Sequence, residues 1–220
     1  MKTKQVIAVI GASGEMGSAI AKTISNENYR VLLQSSNTEK VRSLIDEIRS
    51  NKPSADVEVV NHPLDACWEA DIIIIAVPYS AEKEVADIIW KVTNQKIVIS
   101  VSNPLKNTDT GVATTSDTSA AEELQKLLPH AKVIKAFNTV FVNDFNHPVI
   151  NGQQVDSFIA GNDQDALEVA YDLVKTAGFN PVIAGDLSQS RMLENMKFLL
   201  IQLSRQNNYY GRAGWKLLHD

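Results

Sequence analysis

Three glycines at spacing three, Gly11, Gly14 and Gly17, follow the apolar run Val6-Ile-Ala-Val-Ile10, which is β-branched at four of its five positions. A buried strand that stops at a glycine and gives way to a helical pattern is how α/β folds make a phosphate-binding turn. Glycine lets the backbone turn sharply and lets a diphosphate approach it closely. Free N–H groups at the helix start, with roughly half a positive charge from the dipole, complete an anion site. The spacing is G-x-x-G-x-x-G, not the commoner G-x-G-x-x-G, so the triplet takes its weight from context. The next helix carries Met16, Ala19, Ile20, Thr23 and Ile24 on one face, and a second strand follows from Tyr29 to Leu33, as a βαβ unit requires. The turn is therefore expected to hold a nicotinamide dinucleotide.

The residue ending the second strand usually separates NAD from NADP, because a carboxylate there bonds the ribose 2′-hydroxyl and repels a 2′-phosphate. Here the stretch is Leu33-Gln34-Ser35-Ser36-Asn37-Thr38-Glu39-Lys40, with no carboxylate at the strand end. Ser35, Ser36, Asn37 and Lys40 could receive a phosphate, which favours NADPH. The plain alternative is a polar turn with a Ser or Asn helix cap. Ala76-Val77-Pro78-Tyr79-Ser80-Ala81 leaves the fourth strand at the C-terminal sheet edge, where open α/β folds bind ligands. Ser80 is placed to cap the helix that follows. Asn138 leaves another buried strand at that edge; its amide could bond a carboxamide or an acceptor carbonyl, or serve a turn. Arg191 falls in the first turn of the last helix, where the dipole disfavours a cation. An acidic partner or anionic ligand would explain it, and so would a salt bridge to Glu194.

Acid–base catalysis has no compelling candidate. His62, His130, His147 and His219 fall at element ends or in turns and read as surface residues. Neither they nor Cys67 have metal-site spacing, and Cys67 beside Trp68 is expected to face the core. Tyr209, Tyr210 and Trp215 could flank a ring or simply pack.

Around these residues, strands and helices alternate along 220 residues. Helices are expected over Thr38–Ser50, Leu64–Ala70, Ser80–Trp90, Ser119–Leu128 and Gln164–Thr176, the last ending at a Gly178 cap. Strands are expected over Val57–Val60, Asp71–Pro78, Lys96–Val101, Lys132–Ala136, Val155–Ala160 and Pro181–Ile183, with a polar loop over Asn103–Asp117. The pattern implies an α/β fold, a doubly wound parallel Rossmann sheet with a long C-terminal helix. That helix, Ser188 to Gln206, carries Met192, Leu193, Met196, Leu199, Leu200 and Leu203 as a stripe to bury on the sheet, on a second subunit, or on both. Residues 1–186 read as the dinucleotide-binding domain and 187–220 as the helix and its aromatic tail. An apolar share of 44%, a charged share of 21% and a formal charge of −5 suit a globular protein with no basic face for nucleic acid. A single cysteine fits a reducing cytosol, and no stretch is long enough for a membrane span. The chain reads as cytoplasmic.

With these pieces together, the chain resembles the NADPH-dependent reductases of the deazaflavin coenzyme F420 over nearly its whole length. The resemblance rests on the glycine turn, Ser35 with Lys40, Val77-Pro78, Ser119-Ala-Ala-Glu122, Lys135-Ala-Phe-Asn138-Thr and Gly185-Asp-Leu-Ser188-Gln-Ser190-Arg191-Met-Leu-Glu194. The N-terminal part of metalloreductases that reduce iron through flavin shares much of this pattern. The resemblance implies NADP(H) as cofactor, with F420 or a flavin as co-substrate, and a homodimer, which the long apolar stripe also favours. It puts the diphosphate on Gly11, Ala12, Ser13, Gly14, Glu15, Met16 and Gly17 and the 2′-phosphate on Ser35. Val77, Pro78 and Asn138 would line the nicotinamide and acceptor pocket, with Ala76 and Ala81 beside them. Ser36 and Asn37 stand where members of that family commonly have arginines, and Lys40 matches. Imine, pyrroline-5-carboxylate and β-hydroxyacid reductases, which carry a much longer helical C-terminal part, fit less well. A binding module that senses NADPH without turnover is the remaining alternative.

Overall fold

The computed structural model describes residues 4–26, 28–106 and 111–218. The middle of the expected Asn103–Asp117 loop and His219 lie outside the described residues. In chain order the elements are β1 (Gln5–Ile10), α1 (Glu15–Ile24), β2 (Tyr29–Gln34), α2 (Thr38–Asn51), β3 (Asp56–Val60), α3 (Pro63–Glu69), β4 (Ile72–Ile75), α4 (Tyr79–Ile89) and β5 (Ile97–Ser100). There follow α5 (Ala120–Leu127), β6 (Lys132–Lys135), a small hairpin of β7 (Val149–Ile150) and β8 (Gln153–Gln154), β9 (Asp156–Gly161), α6 (Gln164–Thr176), β10 (Asn180–Gly185) and α7 (Ser190–Gln206).

One sheet runs β10-β9-β6-β5-β4-β1-β2-β3. From β3 to β6 every pairing is parallel. The strand order reverses beside β1, which opens a crevice at the C-terminal ends of β1 and β4. β1 alternates between the two faces. Ile7 and Val9 pack with α1, α2 and α6 through Ile20, Val41, Leu44 and Leu173. Ala8 and Ile10 pack with α3, α4 and α5 through Ala66, Ala86, Ile89 and Leu124. β4, Ile72 to Ile75, is buried along its whole length, as a strand covered on both faces must be.

This is the expected wound α/β sheet, with one difference at its far edge. β9 runs antiparallel to β6, and β10 parallel to β9. Between β6 and β9 the chain forms a short 3-10 turn and the β7–β8 hairpin. It makes no crossover helix there, and without one the next strand pairs antiparallel.

Helix ends follow local chemistry in most places. Ser119 caps α5, its hydroxyl accepting the Glu122 N–H at 3.2 Å, and Asp163 caps α6 through the Ala166 N–H at 2.9 Å. Ser80 does not cap α4. That helix begins one residue earlier, at Tyr79, after Pro78, because proline's fixed φ suits a helix entry and its missing N–H costs nothing there.

The terminal helix departs further from its reading. Leu193 and Leu200 turn inward, but Met192 and Leu199 are 58% and 48% exposed. The inward face is completed by Ser190, Glu194, Lys197 and Ser204, all buried. The apolar stripe is thus wider than the face that docks, and polar side chains fill part of the docked face. Beyond the helix the tail folds back on β9, where Trp215 O accepts the Asp156 N–H at 2.9 Å and Lys216 reaches the Asp156 carboxylate at 2.8 Å.

Candidate functional site

The glycine turn joins three strands. Gly11 and Ala12 give their N–H groups to Gln34 O at 2.9 and 3.0 Å, tying the turn to the end of β2. Gly11 takes φ +90°, and a Cβ placed there would lie 2.6 Å from the Ala76 carbonyl oxygen. A Cβ on Gly17 would run into the Gly11 carbonyl. Only glycine lets β4 and α1 close so tightly on this turn. Gly14 is the N-cap of α1 and supplies no side-chain cap, so the first-turn N–H groups stay open to an anion. Glu15 is exposed beside them, while Met16 leans against the core.

At the end of β2, the Ser13 and Ser35 hydroxyls meet at 2.5 Å. The structure thus brings the glycine turn and the second-strand residue into direct contact. Asn37 caps α2, its side-chain oxygen accepting the Lys40 N–H at 3.0 Å, and its own N–H points to Ser35 Oγ at 3.3 Å. Its side-chain oxygen therefore serves the helix. Ser36 and Lys40 are exposed beside it.

The end of β4 lines the other wall of the crevice. Ala76 N–H binds Ile10 O at 2.8 Å, Val77 lies against Gly11, and Ala81 N–H binds Pro78 O at 2.8 Å. Two strands further, about 10 Å away at ordinary strand spacing, Asn138 follows β6. Phe137 before it takes φ +62°, an uncommon conformation for a bulky residue. Asn138 is 1% exposed. Its side-chain amide donates to Asn103 Oδ1 and to Leu193 O, both at 3.0 Å. Asn103 donates back to Asn138 O at 3.3 Å. Asn138 Oδ1 is left buried with no partner, an unmet acceptor at the ligand edge.

Behind this edge lies a cluster that sequence reasoning missed. Lys135, fully buried, donates to Ser102 O at 2.6 Å and to Glu194 Oε1 at 2.7 Å. Glu194 Oε2 accepts the Ala120 N–H at the start of α5, at 3.1 Å. Glu82 is also buried, its Oε1 accepting the Ser102 hydroxyl at 2.8 Å and the Ser100 hydroxyl at 3.3 Å. Burial pushes the Glu82 carboxyl up to about 7, with Lys135 opposing the rise and Glu194 adding to it. Glu82 lines a cleft of about 460 Å³ between α4 and α5, together with Tyr79, Lys83, Glu123, Lys126 and Leu127. The one signal in the sequence was a lysine inside the apolar strand Lys132-Val-Ile-Lys135-Ala-Phe.

Arg191 grips Glu122 through two bonds, at 2.8 and 2.5 Å, so of its readings the acidic partner holds and the salt bridge to Glu194 does not. Glu194 pairs with Lys135 on β6, and Arg191 reaches α5. His62, His130 and His147 are exposed, and Cys67 is buried. Among the described residues no cluster of His, Cys, Asp or Glu could hold a metal, and no helix is long and apolar enough to cross a membrane.

The wound sheet and a glycine turn open to anions define a fold of the Rossmann class. Within that class, residues 6–104 match the family described as NADP oxidoreductase, coenzyme F420-dependent. The chain is similar to the F420-dependent NADP reductases, as the motif resemblance implied. It is 28% identical over 210 residues to the F420-dependent NADP reductase of Methanocaldococcus jannaschii, covering 90% of this chain and 92% of that one. It is 26% identical over 206 residues to human metalloreductase STEAP2, covering 92% of this chain but 38% of that one. A solved structure from an Arthrobacter species, proposed to be an F420-dependent NADP-reductase, shares the fold at a TM-score of 0.79 and 21% identity, covering 92% of this chain and 94% of that one.

Proposed function

We propose that the chain passes a hydride between NADPH and the deazaflavin F420 or a flavin-like acceptor, working in the cytoplasm. The observation that carries the reading is the Ser13–Ser35 hydroxyl pair at 2.5 Å, set above an anion-ready turn with no carboxylate at the end of β2. Gly11 to Gly17 would cradle the diphosphate with backbone N–H groups. Ser35, Ser36 and Lys40 would receive the 2′-phosphate, Lys40 supplying the charge that the absent arginines would have carried. The N–H of Asn37, already turned toward Ser35, steadies this turn. Val77 and Pro78 would flank the nicotinamide, and Asn138 Oδ1 would accept its carboxamide N–H. Bound there, NADPH supplies a hydride, and the protein's task is to hold donor and acceptor carbons about 3 to 3.5 Å apart in a dry cleft.

The naming of three near-full-length relatives as F420-dependent NADP reductases supports F420 as the acceptor. The outward Met192 and Leu199 support a homodimer that buries the outer face of α7. In this reading residues 1–186 bind the dinucleotide and 187–220 close the site and meet the second subunit. NADPH oxidation followed separately with F420, FMN and a ferric chelate tests the acceptor. Turnover with F420 is expected. NADPH binding with no turnover on any acceptor would replace the enzyme by a sensing module.

A further inference from the structure

We propose that Glu82 stores the proton that must follow the hydride, and that Ser102 hands it from the cleft between α4 and α5 to the acceptor at the sheet edge. The proposal rests on the hydride-transfer reading above. Reducing a ring acceptor with NADPH moves two electrons and one hydrogen, so the reduced ring still requires one proton. A bond from the nicotinamide C4 to hydrogen breaks, a bond from that hydrogen to an acceptor carbon forms, and the acceptor becomes an anion. Glu82 then loses its O–H proton to Ser102 Oγ, Ser102 gives its own hydroxyl proton to a nitrogen or oxygen of the reduced ring, and solvent in the cleft restores Glu82. The nicotinamide is oxidised, the acceptor is reduced, and the new carboxylate balances the positive nicotinamide.

The cleft and the Glu82–Ser102 contact are in place, and the Ser102 hydroxyl, which donates to Glu82 Oε1, turns toward the acceptor as it takes the Glu82 proton. Glu82 borders a cleft of about 460 Å³ on one side and touches the Ser102 hydroxyl at 2.8 Å on the other. Ser102 directly precedes Asn103, which holds Asn138 at the ligand edge. The charged and titratable groups around Glu82 are Tyr79 and Lys83 on its own helix, Glu123 and Lys126 on α5, Lys135 on β6 and Glu194 on α7. Lys135 is already satisfied by Glu194 and by Ser102 O, so Glu82 is not the partner that neutralises it. A carboxyl in these surroundings keeps its proton to about pH 7, where a general acid works best.

Two measurements on the wild type, on Glu82→Gln and on Ser102→Ala test this. In cofactor-free wild type, infrared spectroscopy should show a protonated-carboxyl band that fades between about pH 6 and 8. The component fading near pH 7 should be missing in Glu82→Gln, where only the Asp144 carboxyl, raised by burial to about 6, still contributes, and kept in Ser102→Ala. In single turnovers of NADPH with F420, wild-type transfer should fall with rising pH across the same range. Both variants should be roughly 100-fold slower at pH 6, and Glu82→Gln should lose the pH break while keeping NADPH affinity within about threefold. A break that persists in Glu82→Gln, or a Ser102→Ala rate equal to wild type, overturns the proposal. Should Glu82→Gln not fold, the absence in the wild type of a component titrating near pH 7 overturns it equally. If no acceptor is reduced at all, the functional reading fails, and the infrared band still reports on Glu82.

Discussion

Lys135 and Glu194 meet at 2.7 Å with side chains 0% and 1% exposed, joining the middle of the sheet to the first turns of the last helix. Two ions removed from water are held only while each finds its partner. Here the surplus bonds go to Ser102 O and the Ala120 N–H, so the pair also fixes the ends of β5 and α5. Removing one partner should cost about 3–5 kcal/mol. Lys135→Met should therefore destabilise strongly, and Lys135→Met with Glu194→Leu should recover much of the loss. Urea unfolding of the two variants measures this. Equal midpoints for single and double variants would mean the ions do not depend on each other.

The cofactor reading turns on the end of β2. Ser36 is exposed beside Ser35, so an aspartate there should fold without difficulty and repel a 2′-phosphate. Ser36→Asp should weaken NADPH by roughly tenfold, on Coulomb grounds, and leave NADH nearly unchanged. Titration with both nucleotides decides it. Equal losses would move the 2′-phosphate elsewhere, and equal affinities in the wild type would remove NADP preference altogether.

Gly11 and Gly14 should respond unequally to alanine. Gly11 is left-handed and would press its Cβ to 2.6 Å from Ala76 O. Gly14 has φ −77° and would meet the Gly11 carbonyl oxygen at 3.3 Å and the Ala76 carbonyl oxygen at 4.0 Å, an ordinary contact. Strain alone at Gly11 is worth about 1–2 kcal/mol, before the β1–β4 gap has to open. Gly11→Ala should lower the melting temperature by at least about 5 °C and abolish NADPH binding. Gly14→Ala should lower it much less. Calorimetry with and without NADPH gives both readings.

Lys197 predicts a pH slope in stability. Its ammonium donates to Val140 O at 2.7 Å and sits over the Phe141 ring. Burial lowers it to about 7, with Asp144 opposing the drop. The unfolded lysine keeps its proton to about pH 10.4, so between these values the unfolded state binds more protons. The stabilising contribution is full above the unfolded value and is lost as pH falls through 7. Wild-type stability relative to Lys197→Met should therefore rise from pH 7 to 10, by at most about 1.4 kcal/mol per pH unit. Denaturant midpoints across that range check the sign. A flat difference would mean that Lys197 stays charged when buried.

Much of this molecule can be read from its letters because the relevant forces are local. A glycine stands where a backbone carbonyl leaves no room for a Cβ, and β-branched runs mark strands covered on both faces. Ser119 and Asp163 show their caps in the residue types themselves. The same locality set the limits of the reading. Ser80 looked like a cap, but Pro78 starts the helix one residue earlier. Arg191 looked matched to its neighbour Glu194, but the helix turns the two side chains to different partners, on α5 and β6.

The sequence alone determined the wound α/β order, the glycine turn at its first crossover and the absence of a carboxylate at the end of β2, since each depends on residues close together in the chain. Tertiary structure alone decided that β9 reverses direction, that Asn138 Oδ1 is left without a partner, and that the buried Glu82, Lys135 and Glu194 form one cluster. Those outcomes depend on groups brought together from elements far apart in the chain. The cost of burying a charge is set by whatever the rest of the fold places around it, which no single stretch of sequence records.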